Sequence, residues 1–179
     1  MPIQIYILCK LTEGNNYPYQ LKKEVSQIST FDTFGYFSES KLYYHFESLI
    51  KQGLIEQVEV VKEERRSDKQ MYAITEKGRE HLPKKIYALF EKGDSLTDYF
   101  LGFFALQYVD KSRIVRILES KLENQKLNIK KLKLAQETLQ FDDEGTRLSE
   151  ITTEFFIDKI NGEIVAIQRI IEMLKEDIK

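Results

Sequence analysis

At 179 residues and 42% hydrophobic content, the chain has material for one folded domain or two small ones. Charged residues make up 31% with both signs mixed, and the net charge of −2 excludes a histone-like binder held by bulk positive charge. A specific DNA binder is still allowed, because phosphate contacts depend on local placement of charge.

The first ninety residues carry thirteen Lys/Arg and twelve Asp/Glu. Affinity for DNA would therefore come from arrangement and from doubling of sites in a dimer. Cys9 is the only cysteine and lies in the apolar run Ile5-Tyr6-Ile7-Leu8-Cys9. It reads as a buried small residue, and the absence of intramolecular disulfides fits a reducing cytoplasm. No segment reaches the roughly eighteen apolar residues of a membrane span. No basic stretch precedes the first apolar run, so no signal peptide is expected.

In chain order, Pro2 to Leu11 reads as a short helix with Ile3, Ile7, Leu8 and Leu11 inward, ended by the turn Thr12-Glu13-Gly14-Asn15-Asn16. Pro18 suits the first turn of a second helix whose inner face is Leu21, Val25 and Ile28. Ser29 to Ser38 reads as a linker. The next helix, Ser40 to Gln52, places Leu42, Phe46, Leu49 and Ile50 at helical spacing and leaves Lys41, Tyr43, Tyr44 and Lys51 elsewhere. Gly53 turns the chain, Glu56-Gln57-Val58-Glu59-Val60 alternates as a strand, and Lys62 to Lys69 forms a charged loop. Gln70-Met71-Tyr72-Ala73-Ile74 returns as a second strand, ended by Thr75-Glu76-Lys77-Gly78. Three helices followed by a charged hairpin make a winged helix-turn-helix, a layout that sets a helix in a major groove and a loop on the adjacent backbone.

Arg79 to Lys92 reads as a helix with Leu82, Ile86, Leu89 and Phe90 inward, Pro83 lying in its first turn or kinking it. Gly93-Asp94-Ser95 marks a boundary between a DNA-binding domain, 1–92, and a helical domain, 96–179. Thr97 to Val109 is apolar on nearly every side. Lys111 to Gln140 carries Val115, Leu118, Leu122, Gln125, Ile129, Leu132, Gln136 and Leu139 at spacings of three and four. Phe141 to Gly145 breaks the pattern, and Ser149 to Ile178 resumes it with Phe156, Ile160, Ile164, Ile167, Ile171, Leu174 and Ile178. A helix of roughly thirty residues is about 45 Å long. Such a stripe needs an antiparallel partner helix, a second subunit, or both. The expected fold class is mainly α with a small β-wing, followed by long dimerisation helices.

Leu11 to Gly14 with Pro18-Tyr19-Gln20-Leu21 resembles the opening of the PadR-like winged-helix transcriptional regulators. Leu42-Tyr43, Leu49, Gly53-Leu54-Ile55-Glu56 and Tyr72 to Gly78 resemble that family's helix and wing signatures. The order and spacing match over roughly the first eighty residues. Two positions depart from the pattern: Ser40-Lys41 stands where the family often has Gly-Ser, and Arg65-Arg66-Ser67-Asp68 where a Gly-Arg-Pro type turn is common. The C-terminal half resembles the family's long dimerising helices, as in the larger Vir-type members, by pattern more than by motif. The resemblance implies a homodimer, repression of transcription at a palindromic double-stranded operator and, in some members, control by a small aromatic effector.

Candidate DNA contacts are Ser40, Lys41, Tyr43, Tyr44 and His45 on the third helix and Arg65, Arg66 and Lys69 on the wing. For His45 the favoured alternative is a surface or packing residue; for the wing, contact with phosphate or minor groove is favoured over a solvated hairpin. Tyr99, Phe100, Phe103, Phe104 and Tyr108 either line an effector pocket or form a core. Val115, Leu118, Leu122, Ile129, Leu132, Phe156, Ile160, Ile164, Ile167, Ile171 and Leu174 are the dimerisation candidates. The competing class is a protein-interaction module that uses the same surfaces without DNA. No Gly-rich phosphate loop, paired histidines or Gly-x-Ser-x-Gly nucleophile is present, so neither catalysis, a metal nor a cofactor is expected.

Overall fold

The computed structural model describes residues 2–26, 38–61, 69–93, 95–138 and 142–178. In order they form α1 (Pro2–Glu13), α2 (Pro18–Ser26), α3 (Glu39–Lys51), β1 (Ile55–Val61), β2 (Lys69–Ile74), α4 (Glu76–Lys92), α5 (Leu96–Phe103), a 3-10 turn (Leu106–Tyr108), α6 (Lys111–Thr138) and α7 (Asp143–Glu176). The protein is mainly α-helical with a two-stranded antiparallel wing. No helix among the described residues is long and apolar enough to cross a membrane.

The chain divides into two compact units. One is Met1–Gly93 with Asp98–Val109, the other Asp94–Thr97 with Asp110–Lys179. Residues 98–109, expected with the second domain, thus group with the first. The cause is aromatic packing: Phe90 of α4 stacks on Tyr99 at 5.3 Å and meets Phe103 edge-on at 5.4 Å. Leu101 packs on Val25 of α2, with Tyr6 and Phe100 beside them.

In the first unit α1 is apolar on most of its surface, and Ile3, Ile5, Ile7, Leu8, Cys9 and Leu11 are all buried. It packs on both α3 and α4. Burial pushes the Cys9 thiol up to about 12, consistent with an inert packing group. Pro18 opens α2 as its first helical residue, where a missing N–H costs nothing. Ile28, expected inward, lies outside the described residues.

Two helices begin earlier than the sequence patterns suggest. Thr75 caps α4 by accepting from Gly78 N at 3.0 Å, so Glu76 to Gly78 belong to the helix and not to the end of the hairpin. Pro83 then falls inside α4 rather than in its first turn. Asp142 caps α7 by accepting from Gly145 N at 2.8 Å, and Asp143 and Glu144 suit the positive end of the helix. The segment expected to break the helical pattern is therefore partly the start of α7. The helix expected over Thr97 to Val109 is instead α5 and a separate 3-10 turn.

The second unit is an antiparallel hairpin of α6 and α7. Lys111 Nζ lies 2.9 Å from Asp177 Oδ2, and Lys175 Nζ 2.6 Å from Glu119 Oε1. These exposed pairs contribute little energy but mark the register. Ile114, Val115, Leu118 and Leu122 of α6 and Ile164, Ile167, Ile171 and Leu174 of α7 are buried at this end. Toward the other end burial fades, and Leu127, Leu134, Leu148, Ile151, Phe155 and Phe156 are exposed.

Candidate nucleic-acid interface

The centre of the candidate interface is α3. Ser38 caps it, its Oγ accepting from Lys41 N at 3.3 Å and lying 3.1 Å from Ser40 Oγ. Leu42, Phe46 and Leu49 are buried, so one stripe is fixed to the body of the unit. Ile50, expected on that stripe, is instead exposed at 39%. The opposite surface carries exposed Ser40 and Lys41, Tyr43 at 46% and Tyr44 at 66% exposure. Two phenols and an ammonium on the first turns of an exposed helix give hydrogen-bond donors and flat apolar faces, the groups that meet phosphates, base edges and thymine methyls.

His45 is different. Its ring is half-buried, lies edge-on to Tyr44 at 5.3 Å, and its Nδ1 is buried with no hydrogen-bond partner among the described residues. Burial lowers its pKa, which favours the neutral ring. A neutral, half-covered imidazole is a poor phosphate anchor.

The end of α3 is shaped by Gly53. At φ +69° it occupies the left-handed region, with Gly53 N donating to Ile50 O at 2.8 Å and Leu54 N to Leu49 O at 3.0 Å. This is a Schellman closure, and buried Leu49 and Leu54 supply its usual apolar contact. The chain passes directly into β1, so the wing emerges next to α3. Phe46 of α3 packs on Tyr72 of β2 with ring centroids 5.1 Å apart. Tyr72 OH donates to Gln70 Oε1 at 2.8 Å. Tyr72 also pairs with Asn16 through Asn16 N→Tyr72 O at 3.1 Å and Tyr72 N→Asn16 O at 2.9 Å, tying the α1–α2 turn to the wing.

The wing register runs from Ile55 opposite Ile74 to Val61 opposite Lys69, with a bulge that leaves Val58 between the paired Gln57 and Glu59. Arg65 and Arg66 lie outside the described residues. Lys69 begins β2, and its side chain likewise lies outside them. Tyr19 is a candidate that sequence reasoning passed over: it is exposed in the first turn of α2, the helix packed on α3. Its position directly after Pro18 was the available signal.

The aromatic candidates divide. Tyr99 is fully buried with its OH donating to Gly93 O at 2.5 Å, so it is core. Phe100 is partly buried and meets exposed Phe104 edge-on at 5.6 Å. Burial raises the Tyr108 pKa, with Cys9 and Glu13 nearby adding to the shift.

Of the dimerisation candidates, Val115, Leu118, Leu122, Ile164, Ile167, Ile171 and Leu174 are already covered within one chain. Ile129, Leu132 and Ile160 are half-buried and Phe156 is exposed. Leu139 lies outside the described residues. Between the open ends of α6 and α7 lies a cleft of about 660 Å³, lined by Lys133, Gln136, Glu137, Glu150, Glu154 and Ile157 among others.

Residues 7–84 match the family described as the transcriptional regulator PadR-like family. A transcriptional regulator from Clostridium thermocellum is 31% identical over 46% of this chain and 75% of its own, with a TM-score of 0.38. Bacillus subtilis PadR in complex with operator DNA is 17% identical over 96% of this chain and 98% of its own, with a TM-score of 0.40. The same protein in complex with p-coumaric acid is 14% identical over 98% of this chain and 99% of its own, with a TM-score of 0.39. No curated protein matches the chain.

Proposed function

The chain belongs to the PadR-like family of transcriptional regulators, and from that premise we propose that it represses transcription as a homodimer bound to a palindromic operator. The observation that carries this reading is the exposed face of α3, Ser40, Lys41, Tyr43 and Tyr44, on a helix capped at its start and buried along its other side. Two copies related by a twofold axis would present this face to successive major grooves about one turn, roughly 34 Å, apart. Tyr19 would meet the flanking backbone, and Arg65, Arg66 and Lys69 the phosphates or minor groove beside the wing. Repression then needs no chemistry, because an occupied operator excludes polymerase.

The surface proposed for the second copy is the open end of the α6–α7 hairpin, with Leu127, Leu134, Leu148, Ile151, Phe155 and Phe156. Six large exposed apolar side chains at one end of a hairpin are more than scattered single-residue exposure explains. A small aromatic effector acting through the aromatic segment would meet Phe100 and Phe104. It would act by favouring a dimer arrangement that misplaces the reading helices.

Selection of duplexes from a random pool by the purified protein tests the reading. A palindromic consensus supports it; no enrichment overturns it. Replacing Arg65 and Arg66 together with Ala should weaken binding to all duplexes and reduce the salt slope by about one unit for each phosphate no longer neutralised. Unchanged slope and affinity would make this wing a solvated hairpin.

Lys41→Ala should relax preference at one base pair per half-site, at about 1–3 kcal/mol each, because an ammonium on the first turn reaches guanine O6 or N7. Tyr43→Phe should instead lower affinity evenly across sequences, as removal of a phosphate anchor does. A Lys41→Ala profile that falls equally for every sequence would make Lys41 an anchor and not a reader.

A further inference from the structure

We infer that Lys85 fixes the rotational setting of the reading helix α3 and is thereby a positioning residue for base recognition, an inference that rests on the DNA-binding reading above. Lys85 projects from α4 and donates from Nζ to Gln4 Oε1 on α1 at 2.9 Å and to Gln52 Oε1 at the end of α3 at 3.2 Å. An ammonium only donates, so it obliges both amides to present their oxygens to it. Their NH₂ groups are thereby turned the other way, and both reach Ser48. Gln4 Nε2 donates to Ser48 Oγ at 3.2 Å, and Gln52 Nε2 to Ser48 Oγ and Ser48 O, each at 3.0 Å. The four side chains close a ring that joins α1, α3 and α4.

Lys85 is half-buried, and among the described residues no carboxylate lies within ion-pair distance of it. Burial lowers its pKa. The oxygens that stabilise its charge are the two amide carbonyls, helped by the negative end of α3, where Lys77 Nζ also donates to Gln52 O at 2.7 Å. An ion pair would have tolerated either amide orientation; this arrangement does not.

Ser48 lies four residues after Tyr44 and seven after Lys41, on the same stripe of the helix. The ring therefore anchors the stripe that reads DNA. Leu42, Phe46 and Leu49 hold α3 to the unit through non-directional apolar contact, which tolerates small rotations. Hydrogen bonds are directional, and recognition geometry is lost beyond about 10–20°.

The test compares duplex selection, salt dependence and side-chain amide NMR for the wild type, Lys85→Met and Lys85→Arg in the full chain. Lys85→Met keeps the stem and removes the donors. It should shift the Gln4 and Gln52 side-chain amide resonances and flatten the consensus. Affinity for the preferred duplex should fall about fivefold, with the salt slope unchanged. Lys85→Arg should restore the preference. If Lys85→Met loses its fold, Ser48→Ala removes the shared acceptor and should flatten the same positions. A Lys85→Met protein with unaltered preference overturns the inference. So does one that loses about one unit of salt slope with its consensus intact, since Lys85 would then be a phosphate anchor. A wild-type chain that enriches no duplex overturns the DNA-binding reading itself, and this inference with it.

Discussion

Gly78→Ala should lower the stability of the N-terminal unit by about 2–4 kcal/mol, among the larger effects of a single methyl group. A Cβ built at Gly78 would stand 2.1 Å from the carbonyl oxygen of Leu54 and 2.7 Å from Ile74 Cγ1. The first of these neighbours is backbone and cannot swing away. It is also pinned, since Thr75 N donates to Leu54 O at 3.1 Å and Thr75 Oγ1 donates to Gly53 O at 2.8 Å. The methyl group must therefore separate the start of α4 from the Schellman turn that ends α3. For a unit of this size the melting temperature should fall by roughly 10 °C or more. Gly14→Ala is the control, because a Cβ there meets nothing within 4 Å. Thermal melts of both variants decide the matter: a Gly78→Ala midpoint equal to that of Gly14→Ala would mean the crossing is looser than its geometry.

Replacing Ile151 and Phe155 together with Glu should convert the proposed dimer to a monomer. Both side chains are more than half exposed, at 65% and 63%, on the open end of the hairpin. Each would contribute about 1.5–3 kcal/mol on full burial, and twofold symmetry counts each twice. Four carboxylates in such an interface would be unpaired and desolvated. With one reading head in place of two, operator affinity should drop by about a hundredfold or more. Sedimentation and operator titration of the double variant are the measurements. A dimer that persists would move the interface elsewhere on the chain, and the fold should be unaffected because neither residue lies in the buried stripe.

These predictions draw unequally on what the sequence discloses. The wing and its flanking helices are legible because each boundary has a local cause: Gly53 for the turn, alternation in β1, Pro18 for the start of α2. Starts of α4 and α7 are harder, since Thr75 and Asp142 serve equally well as turn residues and as caps; only the bond to the N–H three residues on distinguishes them. The stripes of α6 and α7 are legible as stripes, but spacing does not say whether the covering helix belongs to the same chain. Leu118 and Ile167 are covered within the chain, whereas Phe155 and Ile151, off the expected seam, are exposed. Exposure of Tyr43 and Tyr44 follows from the burial of Leu42, Phe46 and Leu49 one step around the helix. The Lys85 ring has no sequence signature at all. Gln4, Ser48, Gln52 and Lys85 are scattered over eighty residues and meet only because α1 packs on both α3 and α4.

The bridge between Asn16 and Tyr72 bears on how the protein behaves when concentrated. A short β-ribbon exposes two rows of unpaired peptide groups, and such rows recruit other strands into aggregates. On β2 the outer row is interrupted at its middle, because both peptide groups of Tyr72 are taken by Asn16. On β1 the bulge at Val58 breaks the regular spacing that a second strand would need, and Glu56 and Glu59 add like charges along the same ribbon. Exposed Val58 and Val60 would otherwise make β1 an adhesive strand. Chains crowded together during synthesis or storage therefore have few ways to associate through the described strands of the wing.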